Sequence, residues 1–214
     1  DIFYSFKKES FLGKYRTKLA LNFSYWGAIG AEFMDDESYD VDFVGKGKKY
    51  YQDFNIEIKN RWNKRLSSTI TFLDLSIDKG VSLGGPVGVD GNIDAQVGVF
   101  ELNAKDGKNR NNRFVLQHLW TKEDRKEWMG FVYEIGINNN VNFFISDLWN
   151  YGSSDKLHYY NFGGSYSKGS TRLSANYGRQ RGGLICVGGV CRFVPESNGS
   201  VSYTHLRAHE TYTY

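Results

Sequence analysis

The sequence predicts an all-β fold: an antiparallel up-and-down meander forming an incomplete, open transmembrane β-barrel of roughly ten strands. Three observations carry this. Apolar and polar residues alternate over long stretches, as strands with one face in each medium require. The connections alternate between long loops and tight Asn- or Gly-rich turns, the rhythm of an up-and-down meander. Aromatic residues make up 16% of the 214-residue chain, with 24 Gly and only 2 Pro, a β-rich profile too aromatic for disorder.

The first strand covers residues 15–26. One face reads Tyr15, Thr17, Leu19, Leu21, Phe23, Tyr25 and the other Arg16, Lys18, Ala20, Asn22, Ser24. A long acidic stretch (27–49) precedes the second strand at 50–59, where Phe54, Ile56 and Ile58 oppose Asp53, Asn55, Glu57 and Lys59. After a compact turn at 60–65, the strand at 66–77 slips phase midway. A Gly-rich segment (78–94), a polar turn (103–112) and a charged connection (122–127) follow. In 128–137, Met129, Phe131, Tyr133, Ile135 and Ile137 share a face. The turn Asn138-Asn139-Asn140 leads into 141–149, which is apolar on both sides. A loop at 149–156 and a turn at 168–170 frame the next stretch. In 171–180, Leu173, Ala175 and Tyr177 oppose Arg172, Ser174, Asn176 and Gln180.

No apolar run approaches the roughly 20 residues of a transmembrane helix. Mean hydropathy is −0.52, but strands that meet lipid with every second residue escape that test. The net charge of +3 is interspersed and gives no argument for nucleic acid. Trp26, Trp120, Trp128 and Trp149 fall at strand ends beside long loops, where an interfacial aromatic girdle belongs; only Trp62 lies on the short-turn side. Arg16, Lys18, Asp53, Glu57, Lys59, Asp74, Glu134 and Arg172 are expected to project into a lumen. Mixed charge there can line a water-filled pore or cross-link a closed interior. Cys186 and Cys191 flank a Gly188-Gly189 turn, so a hairpin disulfide in an oxidising compartment is favoured over two free thiols.

Three segments carry a resemblance: LQHLWTKEDRKEWMG (116–130), SDLWNYG (146–152) and GRQRGGLICVGGVCRFVP (178–195). On these, residues 1–199 resemble the C-terminal part of an outer-membrane β-barrel family of unknown function from Bacteroidota-type bacteria. The resemblance implies a membrane barrel with a terminal strand after Asn198-Gly199, and no catalytic residues. The tail SVSYTHLRAHET (200–211) fits one reading frame of a transposase sequencing adapter used for metagenomic libraries. Residues 200–214 are therefore expected to be an artefact, with 201–214 poorly packed; an ordinary polar tail is the alternative. Such a chain leaves strand edges unpaired, so it is expected not to insert as a stable barrel.

Other chemistry is weaker. Asp35, Asp36, Glu37, Asp40 and Asp42 lack the spacing of a calcium loop. Residues 45–49, GKGKK, lack the strand–loop–helix context of a phosphate loop. His118, with Ser146 and Asp147 elsewhere, gives no local hydrolase geometry, and His205 and His209 lie in the suspect tail. The expected function is non-enzymatic, without cofactor or metal: porin-like permeation, surface display or envelope structure in the bacterial outer membrane. The expected partners are outer-membrane lipid and, for the full-length protein, the barrel-assembly machinery. The first rival is a secreted or periplasmic β-sandwich that binds glycans through exposed aromatics; an outer-membrane hydrolase is the second.

Overall fold

A computed structural model describes residues 1–28, 31–33, 39–41, 48–80, 91–107, 109–123, 126–187 and 190–206, with 31–33, 39–41, 184–187, 190–194 and 205–206 described by backbone alone. The strands are β1 (Ile2–Ser5), β2 (Lys18–Gly27), β3 (Ala31–Phe33), β4 (Tyr39–Val41), β5 (Lys49–Arg61), β6 (Leu66–Asp78), β7 (Asn92–Asp106), β8 (Arg110–Thr121), β9 (Trp128–Gly136), β10 (Val141–Trp149), β11 (His158–Lys168), β12 (Thr171–Gln180), β13 (Gly183–Val187), β14 (Val190–Val194) and β15 (Ser197–Leu206). Eleven of them form one open antiparallel meander in the order β1-β2-β5-β6-β7-β8-β9-β10-β11-β12-β15, and β3-β4 and β13-β14 are separate hairpins. The all-β meander expected from alternation is therefore the observed fold, with eleven strands rather than ten.

Apart from the four-residue β1, each strand of the main sheet is 9 to 15 residues long. Strands of ordinary globular sheets are usually about 5–6 residues. Connections alternate in length: 28–48, 79–91, 122–127, 150–157 and 181–196 are long, whereas 62–65, 107–109, 137–140 and 169–170 are short. Side chains build the short turns. The Asn63 carboxamide oxygen accepts from the amides of Arg65 (2.7 Å) and Leu66 (2.9 Å). Asn138 does the same for Asn140 (2.8 Å) and Val141 (2.9 Å), the local bonding that makes Asn a turn residue. Gly169 supplies the left-handed conformation (φ 59°) of the tightest turn. Among the long connections, 150–157 is pinned at its neck. Asn150 is buried, its amide donates to the Leu157 carbonyl at 2.9 Å, and its side chain accepts from the Ser153 amide at 2.9 Å.

Three expectations change. The first long strand begins at Lys18 because Gly13–Tyr15 form a 3-10 turn that ends in a left-handed Arg16 (φ 50°), so Arg16 does not lie on a strand face. The turn expected at 103–112 shrinks to 107–109, because β7 and β8 extend through its polar residues. Residues 201–206, expected to be poorly packed, pair along β12 as part of β15, although Val201 and Tyr203 remain exposed.

The chain divides into two compact units. One comprises Asp1–Arg61, Thr69–Phe100 and His118–Glu127; the other comprises Trp62–Ser68, Glu101–Gln117 and Trp128–Tyr214. In both, large apolar side chains are left exposed. Among the described residues the buried hydrophobics are Ala20, Ala95, Val115, Trp128 and Tyr159, with no Leu, Ile, Phe or Met, while Thr17, Ser68, Ser76, Asp78 and Asn150 are buried. Large apolar side chains, ordinarily the first to be buried, stand outside, with Phe23 at 59% and Ile145 at 50% exposure.

Candidate functional site

In the first unit, the β2–β5 register sorts residues by face. Leu19, Leu21 and Phe23 sit opposite Ile58, Ile56 and Phe54; Lys18, Ala20, Asn22 and Ser24 sit opposite Lys59, Glu57, Asn55 and Asp53. Directly opposed residues share a face, so Lys18, Asp53, Glu57 and Lys59 lie on one side of this strand pair. Lys59 pairs with Glu57 at 2.7 Å, which offsets the like charge of Lys18 across the rung. Asp74 alternates in step with exposed Ile70 and Phe72 and also with buried Ser68 and Ser76, and accepts from Gln96 at 3.2 Å.

In the second unit the same sorting runs through four strands. Phe143 opposes Ile135, Ile145 opposes Tyr133 and Phe162, and Phe162 opposes Tyr177 on the apolar face. On the polar face, Phe144 lies between Glu134 and Gly163, and Gly163 lies opposite Asn176. The next row runs Gly136, Asn142, Ser165, Ser174. Two positions on this wall carry no side chain, and their neighbours close over them. A Cβ on Gly136 would fall 1.9 Å from Asn111 Oδ1, and one on Gly163 would fall 2.7 Å from the Asn176 Cβ. The result is a recess of about 420 Å³ lined by residues including Asn111, Glu134, Asn142, Phe144, Arg172 and Asn176. Arg113 fixes one side, donating to Glu101 (3.0 Å) and Glu134 (3.2 Å). Glu134 and Arg172, both expected on the polar face, thus share one recess. Asn111, Asn142 and Phe144 were not anticipated, since only the registers reveal them as neighbours.

The four girdle tryptophans separate. Trp120 is exposed and meets His118 in a tilted contact, centroids 4.0 Å apart and planes at 40°. Trp149 stacks on His158 (5.2 Å) on the apolar face. Trp26 lies in step with Ala20, Asn22 and Ser24, on the polar side of β2, and contacts Tyr51. Trp128 is only 5% exposed, under Arg181 (4.8 Å) and against Tyr159 (5.9 Å); its indole is packed by that cation and ring instead of facing outward. Trp62, on the short-turn side, donates to Ser68 at 2.9 Å.

The remaining candidates can also be placed. His158 contacts Asp147 at 2.6 Å, Ser146 donates to the Asn161 carbonyl at 3.4 Å, and His118 lies against Trp120. Asp35, Asp36, Glu37, Asp42, residues 45–47 and His209 lie outside the described residues. Among the described residues no cluster of three His, Cys, Asp or Glu is placed to hold a metal, and no helix is long and apolar enough to cross a membrane. Cys186 lies directly opposite Cys191 in the β13–β14 ladder. Opposed Cα atoms are about 4.5–5.5 Å apart, inside the range a disulfide spans.

No curated protein and no solved structure matches the chain. A family model described as a family of unknown function (DUF6029) matches residues 1–205, and the chain belongs to that family.

Proposed function

We propose that the chain is the strand meander of a non-enzymatic outer-membrane β-barrel, with porin-like permeation along its polar wall as the favoured role ahead of surface display or envelope structure. The observation that carries the reading is the exposure of large apolar side chains. Strands of nine or more residues leave Phe23, Ile70, Phe72, Phe143, Ile145, Phe162 and Leu173 exposed, while of the described buried side chains only Val115, Trp128 and Tyr159 are apolar and larger than Ala. A strand crossing lipid needs about 9–11 residues and presents its apolar side to the hydrocarbon. In water the same side chains would form a sticky sheet face. A glycan-binding sandwich would bury such a face against a second sheet, and within each unit these side chains stay exposed. Bacterial outer-membrane lipid is the implied partner, and the barrel-assembly machinery is the implied route for the full-length protein. The resemblance to Bacteroidota-type barrels and the adapter origin of the tail belong to the same proposal.

The test is tryptophan fluorescence of the full chain in micelles containing a brominated detergent. Strong quenching, lost on Trp120→Phe together with Trp149→Phe, is expected. A detergent-free, monodisperse monomer whose fluorescence ignores the brominated probe would overturn the reading and return the soluble sandwich.

A further inference from the structure

The recess in the second unit has a composition that selects among solutes. One aromatic ring, Phe144, lines the recess from a row in which it sits between Glu134 and Gly163. Carboxamides stand around it: Asn111 and Asn142 over Gly136, and Asn176 beyond Gly163. Each carboxamide offers an acceptor oxygen beside a two-donor nitrogen, and Asn176 gives one of its two hydrogens to Asn161 (3.4 Å). That arrangement matches a vicinal diol, whose hydroxyls donate and accept at neighbouring positions. A carbon-bound face packs on an aromatic ring while a hydroxyl rim meets the amides. The charges are not poised for a free ion. Glu134 is held by Arg113, and Arg172 stands exposed at the margin. The volume, about 420 Å³, lies in the range of small-ligand pockets, about 300–1,000 Å³.

We propose that this recess is a binding subsite for a neutral pyranose sugar, with Phe144 as platform and Asn111, Asn142 and Asn176 as the groups that orient the hydroxyls. It deepens the permeation reading and rests on this wall being wetted. A weak, solvent-open subsite of this kind would slow and select a solute without trapping it.

The experiment titrates methyl β-D-glucopyranoside into the full chain in a zwitterionic detergent without a sugar headgroup, followed by saturation-transfer NMR. Saturable, millimolar binding is expected, weakened about fivefold to tenfold by Phe144→Leu and by Asn142→Ser, the range for losing one aromatic or hydrogen-bonded contact. Absence of saturable binding in a chain that keeps its β-sheet circular dichroism would overturn the proposal. So would binding that both variants leave intact. Displacement of the sugar by acetate in an Arg172-dependent manner would reassign the recess to small anions. A detergent-free repeat separates the two readings. Sugar binding by a monomer in water keeps the subsite and removes the membrane, whereas a micelle-dependent sheet that ignores the sugar keeps the membrane and removes the subsite.

Discussion

The β2–β5 ladder runs unbroken from Lys18 to Trp26 before a register shift at Gly27, the β12–β15 ladder runs unbroken throughout, and the two have opposite side-chain logic. Between β2 and β5 like meets like: Leu21 faces Ile56 and Phe23 faces Phe54, while Asn22 faces Asn55 and Ser24 faces Asp53. Between β12 and β15 unlike meets unlike. Leu173 faces Thr204, Ala175 faces Ser202 and Tyr177 faces Ser200, whereas Ser174 faces Tyr203 and Asn176 faces Val201. Within β15, Val201 and Tyr203 alternate with Ser200, Ser202 and Thr204 one residue out of phase with β12. A groove of about 480 Å³ lies where its Ser202 and Thr204 stand among Phe143, Tyr166 and Leu173. Hydrogen bonds alone do not choose a phase; a buried or lipid-covered face does. β2 lies between β1 and β5, whereas among the described strands β15 has β12 alone as its neighbour.

The sharpest way to break this comparison is a charge on each seam. Phe23 and Val201 are similarly exposed, 59% and 62%, but belong to opposite faces. In micelles, Phe23→Arg should cost about 2–4 kcal/mol, the range for a cation on a lipid-facing strand. Val201→Arg, which joins the polar side, should cost under about 1 kcal/mol by the same depth-dependent scale. Urea midpoints would measure both, and equal costs would abolish the distinction between faces. Next in size, Gly136→Ala tests whether a polar wall is as tightly specified as an apolar one. The added methyl meets Asn111 Oδ1 at 1.9 Å and should cost about 1–3 kcal/mol, as overpacking does. Re-phasing β15 within its present register (Val201→Ser, Ser202→Val, Tyr203→Thr, Thr204→Tyr) should raise micelle stability by about 1 kcal/mol, from two improved cross-strand pairs. The smallest effect is expected from thiol reduction at Cys186 and Cys191. These belong to a separate two-stranded sheet, so the main transition should move by less than about 0.5 kcal/mol while local amide exchange in β13 and β14 rises.

Much of the fold was legible because a two-residue period survives burial on either side: β2, β5, β9 and β12 follow the alternation of their own residues. Asn138 and Gly169 were readable as turns for the same reason, since the chemistry is local. What could not be read depended on which strand lay alongside. Trp128 at a strand end looks like a girdle residue until Arg181 is found over its ring. Arg16 continues the alternation, but the preceding 3-10 turn removes it from the strand. Gly136 and Gly163 look like weak points in a strand, and only the registers show them as the bare backbone over which Asn111 and Asn176 close.

The pinned neck of the 150–157 connection makes it a tolerant place to lengthen the chain. The Asn150 amide to Leu157 carbonyl bond closes the loop before β11 begins, so residues added between Ser154 and Asp155 would hang outside a closed ring. Each doubling of a flexible loop costs only about 0.6 kcal/mol. Peptide tags or epitopes grafted there should therefore be carried with little effect on the pairing of β10 with β11.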